Sequence, residues 1–191
     1  MKRALLSVPV LLIAVLLLQA QPGDGNSEKP KFNDETFVPT ADEVIQKMFD
    51  MARVTKNDIM FDLGCGDGRI LYMAAKKYGC HGVGLELNPI RIIQAMDQAK
   101  KYDVGTLVEI RHADALKAKD ISDATIVMLY MFPTFMDLWE PIAKEKLKPG
   151  TRILSHDYKW DAKFNWPPDQ TVSVKSTMRD HTVYMWTVKG K

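Results

Sequence analysis

The octet Asp62-Leu63-Gly64-Cys65-Gly66-Asp67-Gly68-Arg69 constrains this chain more than any other stretch. The short apolar run before it, Asp58-Ile59-Met60-Phe61, has the pattern of a buried strand, and Ile70 to Tyr78 reads as a helix. The three glycines therefore fall on a strand-to-helix turn. Glycine admits positive φ there and lets a ligand approach the backbone closely. The helix that follows offers unpaired N–H groups to an anionic ligand atom. Asp62 adds a carboxylate at the strand end, where open α/β sheets bind their ligands.

The spacing selects among ligands. Dinucleotide sites favour G-x-G-x-x-G with a pyrophosphate on the helix N-terminus. This chain has G-x-G-x-G, with an acid two residues before the first glycine. A carboxylate beside the turn repels a pyrophosphate but suits an ammonium group. S-adenosylmethionine (SAM) carries an ammonium, a carboxylate and a sulfonium, and no phosphate. A P-loop is excluded, because no G-K-[ST] follows the turn.

Further acids extend the pattern. Gly82-Val83-Gly84-Leu85 reads as a second strand ending at Glu86, which lies 18 residues after Gly68. A ribose-binding acid is expected roughly 20 residues on, and a carboxylate there can accept from both ribose hydroxyls. Asn88-Pro89 then opens a helix, with Asn88 as N-cap and Pro89 at the first helical position. Leu107 to Arg111 reads as a third strand, followed by His112-Ala113-Asp114-Ala115.

These motifs resemble the class I SAM-dependent methyltransferases, whose first motif looks like residues 62–68 of this chain. The resemblance runs from about Phe37 to the C-terminus. It implies SAM as cofactor and a set of contacts: Thr40, Asp62, Gly64, Cys65, Gly66, Asp67, Gly68, Glu86, Leu87, Asn88, Ala113, Asp114, Ala115 and Tyr130. In that family an acid at Asp114 receives the adenine amino group, and the segment at Thr40 lies over the methionine end. Val38-Pro39-Thr40, the glycine octet and Gly84-Leu85-Glu86-Leu87-Asn88-Pro89 together look like the small membrane-associated protein-lysine methyltransferases, such as those acting on an ATP synthase subunit or an adenine nucleotide carrier. Cys65 departs from that group, which more often has Ser there.

Along the chain, Thr40-Ala41-Asp42-Glu43 has the form of a capping box, with Thr40 as N-cap and Glu43 three residues on. Val44, Ile45, Met48, Phe49 and Ala52 make the apolar face of the helix that follows. The helix after Asn88-Pro89 places Ile92, Ile93, Met96 and Ala99 on its apolar face. Asp123 to Leu129 reads as a fourth strand, 134–146 as a helix, and Arg152 to His156 as a fifth strand. Thr171–Thr177 and Thr182–Lys189 alternate apolar and polar residues around Met178-Arg179-Asp180-His181, which predicts a hairpin. Strands alternating with helices imply a parallel sheet. The expected fold is α/β: a Rossmann-like, seven-stranded, mostly parallel sheet with helices on both faces and a C-terminal antiparallel hairpin.

The methyl acceptor is expected at the end of the fourth strand. Leu129-Tyr130-Met131-Phe132-Pro133 stands there, unlike the Asn/Asp-Pro-Pro-Tyr tetrad of amino-directed DNA methyltransferases. Tyr130 is the candidate catalytic residue. Tyr130 and Phe132, with Tyr158, Trp160 and Trp166 after the fifth strand, could wall an apolar channel. Such a wall holds a cationic amine by cation–π attraction and, by desolvating it, lowers its pKa toward the neutral nucleophile. An amine acceptor, most simply a protein lysine, is the leading expectation. A small-molecule or RNA acceptor is the alternative with the same cofactor, and a NAD-binding oxidoreductase or non-catalytic SAM-binding protein is the alternative of another class. The four histidines (His81, His112, His156, His181) look scattered, and no metal site is expected.

Composition adds limits. The 191 residues suffice for one domain with a full core. Lys2 and Arg3 account for the net charge of +2, leaving the remainder of the chain with 24 basic and 24 acidic residues. That gives no electrostatic case for a nucleic-acid partner. Ala4 to Leu18 is apolar except for Ser7 and Pro9. After Lys2-Arg3 this resembles a secretory signal or a membrane anchor, though it is short of the ~20 residues of a spanning helix. Residues 1–20 are expected to be that signal or anchor, 21–36 a flexible linker, and 37–191 the methyltransferase domain. The protein is expected to be a monomer, membrane-associated or exported, with Cys65 and Cys80 both free.

Overall fold

In a computed structural model, residues 37–190 are described. The expected signal or anchor and the linker lie outside the described residues. The elements follow in the order α1 (Asp42–Ala52), β1 (Ile59–Leu63), α2 (Arg69–Tyr78), β2 (His81–Glu86), α3 (Pro89–Lys101), β3 (Val108–His112), β4 (Ile126–Leu129), α4 (Pro133–Lys146), β5 (Arg152–His156), β6 (Gln170–Lys175) and β7 (Asp180–Thr187). They build a seven-stranded sheet in the order β3-β2-β1-β4-β5-β7-β6. Neighbours from β3 to β5 pair parallel, and β7 pairs antiparallel with both β5 and β6. The expected fold class is the observed one.

The central strands are buried on both faces, which explains their continuous apolar runs. Side chains alternate between two cores. Met60, Ile126, Met128 and Leu154 face α1 and α2, whereas Phe61, Val127, Leu129 and Ile153 face α4 with Trp139, Trp160 and Trp186. Burying one such large side chain contributes roughly 1.5–3 kcal/mol. The strand order reverses between β1 and β4, so a crevice opens where their C-terminal ends diverge. The glycine turn follows β1, and Tyr130 follows β4.

Four expectations need correction. Thr40 does not cap α1: the N-cap is Ala41, with no side-chain cap bond. The Thr40 hydroxyl is instead drawn into the fold, 3.2 Å from His156 Nδ1. The inner face of α3 is also shifted. Ala95 and Ala99 are buried, while Ile93 and Met96 are 60% and 57% exposed. Only small residues fit there, because α3 approaches the turn closely: a Cβ at Gly68 would stand 3.0 Å from that of Ala95. Trp160 is a core residue at 4% exposure, its ring centroid 4.7 Å from Trp186 and 6.2 Å from Trp139. Finally, His156 and His181 are not scattered. Antiparallel pairing sets His156 opposite Val183, so His181 is its diagonal neighbour on the same face. Their nitrogens lie 2.7 Å apart.

Other boundaries move little. β4 begins at Ile126, since the Thr125 hydroxyl is engaged in donating 2.7 Å to Asp58. Asn88 caps α3 by accepting from Ile90 N, as expected. Both cysteines are free and buried. Among the described residues no helix is long and apolar enough to cross a membrane.

Candidate active site

The glycine turn is locked to the next strand before any ligand arrives. Gly64 N and Cys65 N both donate to Leu85 O, at 2.8 and 3.1 Å. Gly66 has φ +55°, and a Cβ there would come within 2.2 Å of the Phe37 ring. The entering segment thus lies directly on the turn, and the Arg91 guanidinium covers the other side of Phe37 at 3.8 Å. Asp67 pairs with Arg69 at 2.7 Å, and Arg69 donates onward to Thr40 O at 3.4 Å. Thr40 is therefore tied to the turn through its carbonyl.

Asp62 is buried at the end of β1. Burial, then the Glu86 and Asp67 carboxylates, push its pKa up to about 8. Every influence on it favours the neutral acid, and a cation placed beside it would favour the carboxylate. This donor set fits the ammonium and sulfonium of SAM and opposes a pyrophosphate. Burial, then the Asp62, Glu86 and Asp67 carboxylates, push up the Cys65 thiol, so the thiol is inert as a nucleophile.

Glu86 is held at the end of β2 by backbone amides. One oxygen accepts from Gly66 N at 2.9 Å, the other from Leu87 N and Asn88 N, each at 2.8 Å. Two carboxylate oxygens offer about four lone-pair sites, so capacity remains for a hydroxyl. Leu87 is exposed beside it. Asp114 shapes its own turn by accepting from Leu116 N at 3.0 Å, and Ala113 N reaches back to Glu86 O at 3.1 Å. Ala115 is buried in the core on the α4 side. Asp62, Glu86 and the glycines therefore converge on one turn, while Asp114 stands one strand further out.

Beyond the turn, Tyr130, Phe132 and Tyr158 gather at the ends of β4 and β5. Tyr130 and Phe132 have ring centroids 6.1 and 6.0 Å from Tyr158. Trp160 is in the core and the half-buried Trp166 stacks on it with a centroid separation of 5.5 Å, which leaves the wall narrower than expected. The Tyr130 ring also lies 3.9 Å from the buried ring of His156. Arg179 donates to Tyr130 Oη at 3.2 Å and pairs with Asp157. Sequence reasoning missed His156, His181 and Arg179 as one group. The signal was a His-Asp pair closing β5 opposite a turn bearing Arg and His, and it needed the hairpin register to become visible.

A family model described as the ANTKMT methyltransferase domain matches residues 62–170. A protein-lysine N-methyltransferase of Saccharolobus islandicus (strain REY15A) is 35% identical over 153 residues, covering 80% of this chain and 92% of that protein. The chain belongs to this methyltransferase family. A human lysine N-methyltransferase acting on an ATP synthase component is 29% identical over 133 residues, which cover 70% of this methyltransferase and only 54% of the human protein. Among solved structures, an RNA methyltransferase from Salinibacter ruber in complex with S-adenosyl-L-homocysteine is 41% identical, with a TM-score of 0.73, covering 81% of this chain and 95% of that one. The methyltransferase is thus SAM-dependent.

Proposed function

We propose that this methyltransferase transfers the SAM methyl group to a lysine amine of a protein acceptor. The aromatic group Tyr130–Phe132–Tyr158 beside the cofactor turn carries the proposal. It offers π faces to an approaching ammonium and removes water from it, which favours the neutral amine. The activity named for the Saccharolobus relative supports the same acceptor.

The cofactor supplies a methyl carbon activated by the sulfonium. The chain's own task is alignment and exclusion of water, a positioning effect. Asp62 takes the cofactor's ammonium, and the backbone of Gly64, Cys65, Gly66, Asp67 and Gly68 surrounds its methionine portion. Glu86 accepts from the ribose, with Leu87 and Asn88 alongside, and Asp114, flanked by Ala113 and Ala115, receives the adenine. Thr40 closes the methionine end. Tyr130 orients the amine. Bound there, SAM would supply the methyl group to the amine nitrogen and keep the sulfur as the leaving group, and an ammonium acceptor would give up one proton for each methyl received. Residues 4–18 are proposed to hold the enzyme at a membrane; fractionating cells that carry the chain with and without residues 1–20 tests this, and an unchanged distribution refutes it.

Incubating the full chain and a membrane extract with methyl-labelled SAM tests the acceptor. Label recovered as methyl-lysine from a protein band is the expected result. The activity named for the Salinibacter neighbour favours RNA as a second acceptor, so label removed by ribonuclease would replace lysine with RNA. Label in small molecules alone would likewise overturn it.

A further inference from the structure

Behind Tyr130 runs a line of hydrogen-bonding groups of which only Thr40 has a part in holding the cofactor. Thr40 Oγ1 is 3.2 Å from His156 Nδ1, His156 Nε2 is 2.7 Å from His181 Nδ1, and His181 Nε2 is 3.1 Å from Ser176 Oγ. Thr40, His156 and His181 are buried, and Ser176 sits in the exposed β6–β7 turn. The Ser176 hydroxyl donates to Arg179 O at 3.1 Å. Ser176 Oγ also accepts from Met178 N at 3.2 Å and Arg179 N at 3.4 Å, and with its one proton on Arg179 O its contact with His181 Nε2 is that of an acceptor as well. His181 Nδ1 is then an acceptor and takes the His156 Nε2–H. His156 Nδ1 in turn takes the Thr40 hydroxyl proton. The whole line has one polarity, from the cofactor side to the surface.

Asp157 stands beside the middle link, its Oδ2 3.3 Å from His156 Nε2 and 3.5 Å from His181 Nδ1. It is fixed in the left-handed region at φ +63°. A non-glycine residue at such an angle is held there by its surroundings: Asp157 N donates to Thr182 O at 2.7 Å, and Thr182 N returns 2.9 Å to Oδ1. Arg179 pairs with the same carboxylate. His156, His181, Asp157, Arg179 and the Tyr130 hydroxyl are the ionisable groups that meet here. The 2.7 Å separation of the imidazole nitrogens is a hydrogen-bond length. Two nitrogens on one tetrahedral zinc, each about 2.0–2.1 Å from it, stand roughly 3.3 Å apart.

We propose that the line Thr40–His156–His181–Ser176 is the exit route for the proton that an ammonium acceptor loses. It rests on the amine-acceptor proposal above. At pH 7 a lysine arrives as R–NH3+. Forming the N–CH3 bond from it consumes the lone pair that deprotonation frees, and one proton is released per methyl moved. The proton passes to Thr40 Oγ1 as the Thr40 proton moves to His156 Nδ1. The His156 Nε2 proton moves to His181 Nδ1, and the His181 Nε2 proton passes to Ser176 Oγ as the Ser176 proton turns from Arg179 O and leaves to water. Asp157 balances the positive charge while it occupies either imidazole. Burial pushes the His156 pKa down to about 4, so the proton does not stay on that ring.

Two measurements on the full chain test this. In 15N-imidazole NMR, both histidines should rest as Nε2–H tautomers. Ser176→Ala should move the His156 signals, two links away; unmoved His156 signals refute a coupled line. In the methyl-lysine assay with membrane extract, His181→Gln should lower the rate about 10- to 100-fold near pH 7. The loss should close near pH 9.5, where the amine arrives increasingly deprotonated, with SAM affinity unchanged throughout. An equal loss at both pH values marks a purely structural role and refutes the route alone. No methyl-lysine from the wild-type protein at any pH refutes the amine acceptor, and the route falls with it.

Discussion

At the scale of single residues, Asp62 is the most informative group. A buried acid with a raised pKa is a cost that a cationic ligand removes. SAM binds the ionised form, so affinity should fall up to tenfold per pH unit below about 8 and level off above it. Near pH 7 about one-tenth of the protein is ionised, and binding should release close to one proton. Calorimetry in buffers of different ionisation enthalpy reads that proton. Asp62→Asn should abolish the release and weaken binding, and a buffer-independent enthalpy in the wild type would contradict the assignment. The sign for stability is the opposite. The folded pKa lies above the unfolded one, so the ligand-free protein loses stability as pH rises from about 4 to about 8.

Gly66 gives a second test at this scale. Its φ of +55° and the Phe37 ring leave no room for a side chain. Gly66→Ala should cost about 1–3 kcal/mol of stability, read by urea unfolding. It should also weaken SAM binding, because Phe37 and the turn must separate.

At the scale of elements, β1 is anchored at its head by one buried carboxylate. Asp58 accepts from Thr55 N at 2.8 Å, from Thr55 Oγ1 at 3.0 Å and from Thr125 Oγ1 at 2.7 Å, and it pairs with Arg152 of β5. Desolvation alone would raise its pKa, but these bonds outweigh it and hold it below the usual carboxylate value. The stability it contributes is complete above about pH 4 and is lost as pH falls through its lower folded value. Asp58→Ala should destabilise by about 2–4 kcal/mol, leaving Arg152 unpaired. A wild-type-like urea midpoint for Asp58→Ala would show that the strand head needs no such anchor.

Helix α3 shows why sequence periodicity misled. Its apolar residues outnumber those that can be buried, because the close approach of Ala95 to Gly68 admits only small side chains. Ala95→Leu should overpack that contact, costing about 1–3 kcal/mol and disturbing SAM binding. Ile93→Asp, on the exposed side, should stay within about 0.5 kcal/mol. Reversal of that order in thermal unfolding would overturn the packing assignment.

At the scale of the whole molecule, the contacts proposed for the cofactor come from the ends of β1, β2, β3 and β4 and from the segment before α1, so the cofactor should bind only the folded sheet. At one hundred times its dissociation constant SAM should stabilise the protein by about 2.7 kcal/mol. For a domain of this size that raises Tm by roughly 5–10 °C. NAD at the same concentration should give no shift. A comparable shift with NAD would remove the charge argument for SAM.

Much was legible in the chain alone, because its signals are local. Residues 62–68 specify a strand, a ligand turn and a helix within one stretch, and Glu86 and Asn88-Pro89 mark the next unit in the same way. Period-two and period-3.6 patterns carried the parallel core and the closing hairpin. What only the tertiary structure decided are contacts between distant segments. Thr40 looked like a helix cap until β5 supplied His156 as a partner. Trp160 looked like channel wall until Trp139 and Trp186 enclosed it. The His156–His181 pair exists only through the β5–β7 register, and hydrogen bonds across strands far apart in sequence leave no periodic trace in the residues that make them.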